Sequence, residues 1–339
     1  MDHAELEATA HAMVSPGKGI LAVDETSPTL SKRFDACGID STPESRRAYR
    51  GMLFASPGIG RYISGAILDD ETLRQGDAQG RPFPRALDDA GIIPGIKVDS
   101  GAKPLANSPG ETVTEGLDGL RARLEEYRGL GARFTKWRAV LTIGPGTPSR
   151  YATATNAHAL GRYAALAQEA GLVPIVEPEV LMTGGHGIER CQEATETVLH
   201  AVFGELIAQG VHLEGIILKP NMVTPGSGAP PADSREIAER TLATLRRCVP
   251  AAVPGIAFLS GGQSGEEACA NLNAMTSAGP TPWPLSYSFG RALQYPSLEV
   301  WAGDAANVPA AQSALLHRAR MSSLAQLGEY SADLERALV

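Results

Sequence analysis

Eight short apolar runs, separated by stretches of helical periodicity and never joined to one another by a tight hairpin, dominate this chain. They cover residues 19–24, 62–68, 92–98, 134–141, 173–180, 215–219, 255–260 and 285–289. Antiparallel neighbours can be linked by a two-residue turn, whereas parallel neighbours need a long crossover, usually a helix. Strict alternation therefore predicts a parallel sheet. Eight such units in 339 residues predict closure into a (β/α)8 (TIM) barrel of the α/β class, with an extra N-terminal helix and additional C-terminal helices. An open doubly wound sheet is the alternative. No compositional break marks a domain boundary, so residues 1–339 read as one unit, with a polar and loose tail over about 329–339.

Between the runs, helices are expected over 4–14, 42–54, 113–130, 154–170, 189–209, 234–248, 265–275, 291–302 and 309–328. Thr42 followed by Pro43 is a capped start with proline at the first helical position. Residues 76–84 read as a loop.

The apolar runs carry charges toward their C-terminal ends. Asp24 ends the first, Lys97 and Asp99 close the third, Lys136 and Arg138 lie on the fourth, Glu177 and Glu179 on the fifth, and Lys219 ends the sixth. A period of two puts each pair on one face of its strand. The other face meets helices, so the charges point into the barrel mouth, where active sites of this architecture sit. Lys219 is followed by Pro220, which biases it toward extended backbone and stops a helix from starting there. Taken alone, Lys219 is either a snorkelling side chain at a strand tip or a desolvated amine, nucleophilic toward ketones. Five consecutive charged strand ends, with lysines and carboxylates interleaved, favour the second reading.

Ser260-Gly261-Gly262 after the seventh run and Ser288-Phe289-Gly290-Arg291 after the eighth each precede a helix. Glycines let backbone N–H groups approach a phosphate, and the helix dipole and the arginine supply positive charge. The net charge of −8 argues against a nucleic-acid partner. No apolar segment approaches the roughly 20 residues that span a bilayer, and the acidic N-terminus lacks a secretory pattern. Cys37, Cys191, Cys248 and Cys269 are too scattered for a disulfide frame, and suggest free thiols in a reducing cytoplasm. The histidines form neither HxH nor HExxH, so no metal is expected. Gly184-Gly185-His186-Gly187 reads as a flexible loop, a catalytic His186 being the lesser reading.

In this order, GILAVDET (19–26), SKR (31–33), PGIKVD (94–99), KWRAVL (136–141), VPIVEPEVL (173–181), LKPNMVTPG (218–226), FLSGGQS (258–264) and LSYSFGRALQ (285–294) resemble class I fructose-bisphosphate aldolase over nearly the whole chain. The resemblance implies a cytoplasmic, tetrameric lyase of glycolysis and gluconeogenesis that acts on sugar phosphates without a cofactor. It implies Lys219 as the Schiff-base lysine, Glu177 as the acid/base of imine formation, Asp24 at the C4 hydroxyl, Lys136 as a neighbouring cation and Glu179 as support. Ser260, Gly261, Gly262, Ser288, Gly290 and Arg291 match one phosphate site; Arg33, Lys97 and Arg138 match positions near the other end of the substrate. Two departures stand out. Pro28 and Thr29 replace the usual glycine and serine, and the last tyrosine, Tyr330, matches an internal family position instead of the terminal tyrosine of animal enzymes. Rival readings are another Schiff-base lyase, which would need only one phosphate site, and a non-enzymatic scaffold, which need not keep Lys219, Glu177, Asp24 and Lys136.

Overall fold

The computed structural model describes residues 2–336. The strands in chain order are β1 (Gly19–Ala22), β2 (Ile63–Leu68), β3 (Ile93–Lys97), β4 (Ala102–Pro104), β5 (Thr112–Thr114), β6 (Phe134–Leu141), β7 (Val173–Val180), β8 (Ile217–Leu218), β9 (Ile256–Phe258) and β10 (Leu285–Phe289). Eight of them close a parallel barrel in the order β1-β10-β9-β8-β7-β6-β3-β2, with helices outside it. Closure is made by Ile20 pairing with Ser288 and Leu21 with Phe289.

The alternation of side chains divides the barrel into a floor and a mouth. Inward positions low in the barrel are apolar: Ile20, Ile67, Phe134, Ile175 and Ile217 pack with Leu6, Ala10 and Met13 of the N-terminal helix His3–Met13, which seals the bottom. The ring of Phe134 fills the space beside β3 so fully that a Cβ on Gly95 would lie 2.2 Å from it, which is why β3 carries a glycine there. One pleat higher the inward residues become charged. Lys97 pairs in register with Lys136, and Arg138 with Glu177. A larger apolar layer, including Trp137, Tyr163 and Val176, fills the space between the strands and the outer helices.

Several expectations need correction. The helix expected over 113–130 begins only at Leu120; Thr112–Thr114 instead pairs antiparallel with Ala102–Pro104. Leu117, Leu120, Leu124 and Tyr127 kept the helical period, but Gly116 and Gly119 adopt φ of 129° and 67°, which break it. Three helices went unpredicted: Ser27–Ala36, Asp70–Arg74 and Phe83–Asp89, the last cutting into the expected loop. The sixth strand is only Ile217–Leu218, so Lys219 lies one residue past it, and Asp24 lies two past β1. The described part of the tail is not loose: Glu335 accepts hydrogen bonds from Arg318 (2.6 Å), His317 (2.8 Å) and Tyr330 (3.0 Å), while residues 337–339 of that expected tail lie outside the described residues.

Candidate active site

Above the apolar floor, at the C-terminal ends of the strands, lies a cavity of about 680 Å³. All fourteen residues singled out from the sequence line it: Asp24, Arg33, Lys97, Lys136, Arg138, Glu177, Glu179, Lys219, Ser260, Gly261, Gly262, Ser288, Gly290 and Arg291. His186 is not among the lining residues; its loop packs on the neighbouring one, with the Gly226 N–H donating to the His186 carbonyl at 2.8 Å.

The centre of the cavity is a chain of opposite charges. Lys219 Nζ lies 3.4 Å from one oxygen of Glu177, and Lys136 Nζ lies 3.3 Å from the other. Lys136 also pairs with Asp24 at 2.7 Å. These four side chains are nearly inaccessible to solvent, which makes their charges interdependent. Burial pulls the Lys219 amine below the usual lysine range, and the Lys136 charge adds to this, while Glu177, Asp24 and Glu179 oppose it. Burial also disfavours charge on Lys136, but Asp24 and Glu177 outweigh it and hold that ammonium firmly protonated. Asp24 is likewise buried, yet Lys136, Lys219 and Lys97 keep it ionised well below the ordinary carboxylate range. Two neighbouring lysines are thus driven in opposite directions, one toward the free amine and the other toward a fixed cation. Glu177 Oε2, although within ion-pair range of Lys136, makes no well-formed hydrogen bond, so a lone pair remains free for proton transfer.

The two ends of the cavity are basic. At one, Ser260, Gly261 and Gly262 follow β9, and Gly290 is the N-cap of the helix Arg291–Trp301. Gly261 and Gly262 sit at φ of 57° and 99°, left-handed values that let the backbone curl around an anion. The Ser288 hydroxyl is buried beside them with no hydrogen-bond partner among the described residues. At the other end stand Lys97, bonded to Asp99 at 3.0 Å, Arg138, bonded to Glu179 at 2.5 Å, and Arg33, bonded to Glu25 at 2.6 Å.

Sequence reasoning missed several of the cavity's walls. Thr26 caps the unpredicted helix Ser27–Ala36 and shares a 3.3 Å hydroxyl contact with Thr29; both line the cavity. Met182 and Ser227 also line it, on loops laced together by the Ser227 N–H donating to the Met182 carbonyl at 2.6 Å. Glu25, beside Asp24 in the same DET triplet, was readable only as its neighbour.

The sequence profile described as fructose-bisphosphate aldolase class-I matches residues 5–338. The chain belongs to the class I fructose-bisphosphate aldolase family. It is 56% identical over 328 residues to a probable class 1 fructose-bisphosphate aldolase of Xanthomonas campestris pv. campestris, covering 96% of this chain and 98% of that protein. It is 52% identical to the cytoplasmic isozyme of Cicer arietinum, covering 98% of this chain and 93% of that one. A solved structure of the Plasmodium falciparum aldolase, in complex with TRAP and a small-molecule inhibitor, superposes with a TM-score of 0.96 at 48% identity, covering 97% and 96% of the two chains. The activity of this aldolase is reversible cleavage of fructose 1,6-bisphosphate to dihydroxyacetone phosphate and glyceraldehyde 3-phosphate through a lysine Schiff base, in glycolysis and gluconeogenesis. Among the described residues no helix is long and apolar enough to cross a membrane, and no cluster of three or more His, Cys, Asp or Glu could hold a metal.

Proposed function

We propose that Lys219 is the nucleophile of this aldolase, with the cavity residues dividing the remaining work. The observation that carries the assignment is the pair of lysines bridged by one carboxylate: Glu177 lies between Lys136 and Lys219. The Lys219 amine adds to the C2 ketone. Glu177 supplies the proton with which the carbinolamine hydroxyl leaves as water, and a protonated imine remains. Asp24, kept ionised by its lysine neighbours, receives the proton of the C4 hydroxyl. The C3–C4 bonding electrons flow into the imine to form an enamine, and glyceraldehyde 3-phosphate departs. Protonation at C3 and hydrolysis then release dihydroxyacetone phosphate and return the free lysine. Lys136 remains a fixed cation throughout, and Glu179 holds Arg138.

The basic ends of the cavity suit the two phosphates. Ser260, Gly261, Gly262, Ser288, Gly290 and Arg291 take the phosphate of the C1 end, while Lys97, Arg138 and Arg33 face the C6 end. The iminium is the electron sink, so neither metal nor organic cofactor enters this reading. Residues 1–339 act as one catalytic unit, assembled as a homotetramer in the cytoplasm, as expected of the family. Support for the location is that the plant relatives are cytoplasmic isozymes. Borohydride added with substrate should fix a covalent adduct on the Lys219 peptide, readable by mass spectrometry, with EDTA sparing turnover and Lys219→Met abolishing both. An unmodified Lys219 in a chain whose turnover is EDTA-sensitive would overturn the assignment.

A further inference from the structure

Glu25 has no place in the chemistry above, yet it is the most heavily bonded carboxylate beside the cavity. Its Oε1 accepts from Arg33 Nη1 at 2.6 Å and from Gln294 Nε2 at 2.7 Å, and its Oε2 accepts from Arg50 Nη1 at 3.0 Å. Its backbone carbonyl takes a further bond from Arg50 at 3.1 Å. These partners come from three helices: Ser27–Ala36, Pro43–Phe54 and Arg291–Trp301. Gln294 is fully buried, donates also to the Ala22 carbonyl at 2.6 Å, and accepts from the Tyr49 hydroxyl at 3.1 Å. Only Arg33 in this group is partly open to the cavity, with 24% of its side chain exposed against 1% for Arg50 and 8% for Glu25.

The two guanidinium groups thus have different duties. Arg50 is sealed in, and Glu25 neutralises it permanently. Arg33 commits a single N–H to Glu25 and keeps four others for an incoming anion. Without Glu25, Arg33 would be a long surface-facing side chain with many rotamers, and substrate would have to order it on binding. We propose that Glu25 is a positioning residue that fixes Arg33 for the phosphate at the C6 end of the substrate, and so sets how strongly the enzyme prefers a bisphosphate to fructose 1-phosphate. The inference rests on the placement of Arg33 at that end under the proposed function.

Glu25→Asp tests it, because the aspartate keeps a charge for Arg50 but is one methylene short of serving both arginines. It should raise KM for fructose 1,6-bisphosphate about tenfold, the scale of one charge-assisted hydrogen bond. Its kcat should stay within about twofold, as should KM for fructose 1-phosphate, which lacks the C6 phosphate. The second arm is Arg33→Gln, alone and combined with Glu25→Asp. Arg33→Gln should lower the bisphosphate preference by itself, and in that background Glu25→Asp should add nothing. Equal losses on both substrates, or an undiminished effect of Glu25→Asp in the Arg33→Gln background, would overturn the positioning role while leaving Arg33 where it was proposed. An unchanged preference in Arg33→Gln alone would overturn both.

Discussion

Removing the hydroxyl of Ser288 should move stability and affinity in opposite directions. Ser288 is 1% exposed, and its Oγ has no hydrogen-bond partner among the described residues. An unpartnered buried hydroxyl costs about 1–3 kcal/mol in lost solvation. Ser288→Ala recovers much of that and leaves a void the size of one oxygen, a penalty of only about 0.3–0.5 kcal/mol. The net is a gain of about 1–2 kcal/mol. At roughly 2.1 cal/mol/K per residue, the unfolding entropy of the chain makes each kcal/mol worth about 1.4 °C, so the midpoint should rise by about 1–3 °C. The same change removes a donor to phosphate, a charge-assisted bond worth about 1.5–3 kcal/mol, and should lower kcat/KM by roughly 10- to 100-fold. Scanning calorimetry in phosphate-free buffer and a coupled cleavage assay read the two effects. A midpoint that falls by more than about 2 °C, with kcat/KM within about twofold, would refute the reasoning: the hydroxyl would then be a structural bond and not a ligand for substrate.

Two further outcomes follow from the central charges. Glu177→Gln keeps the shape but cannot carry a proton, so kcat should drop by ~10²–10⁴ and the borohydride-trapped fraction should fall in rapid-quench experiments; a loss confined to KM would place Glu177 in binding instead. Lys136→Met removes the charge that helps burial depress Lys219, and leaves Glu177, Asp24 and Glu179 to raise it. Lys219 would then be protonated over a wider pH range, and the pH midpoint of adduct formation should move alkaline. An unchanged profile would mean that burial alone frees the amine.

The barrel and the heart of the site were legible because both rest on a period of two. On β6 and β7, Lys136 and Arg138, then Glu177 and Glu179, had to share a face, and an apolar strand tolerates such pairs only where it opens to a site. The parts that were not legible lack a period. Ser27–Ala36 buries only Leu30 and Phe34, too narrow a stripe to announce a helix, and its Pro28 reads as a loop residue unless it is recognised as belonging to the first turn. Thr112–Thr114 is three residues long, below the length at which alternation can be told from a helical period. The bonds of Glu25 were beyond reach for a different reason. Its side-chain partners lie 8, 25 and 269 residues away, and only closure of the barrel brings the last of them near.

That closure has a consequence for how the molecule comes to life. The seam joins β1, which leads to Asp24, to β10, which carries Ser288 and leads to Arg291. During synthesis the first half of the site emerges long before the strand that completes it, and a pairing of such high sequence separation forms slowly. Recovery of activity after unfolding therefore times the shutting of the seam, whereas the return of helical signal times only the crossovers. A lag between the two would be the interval in which the catalytic lysine is already synthesised but the pocket that activates it has no far wall.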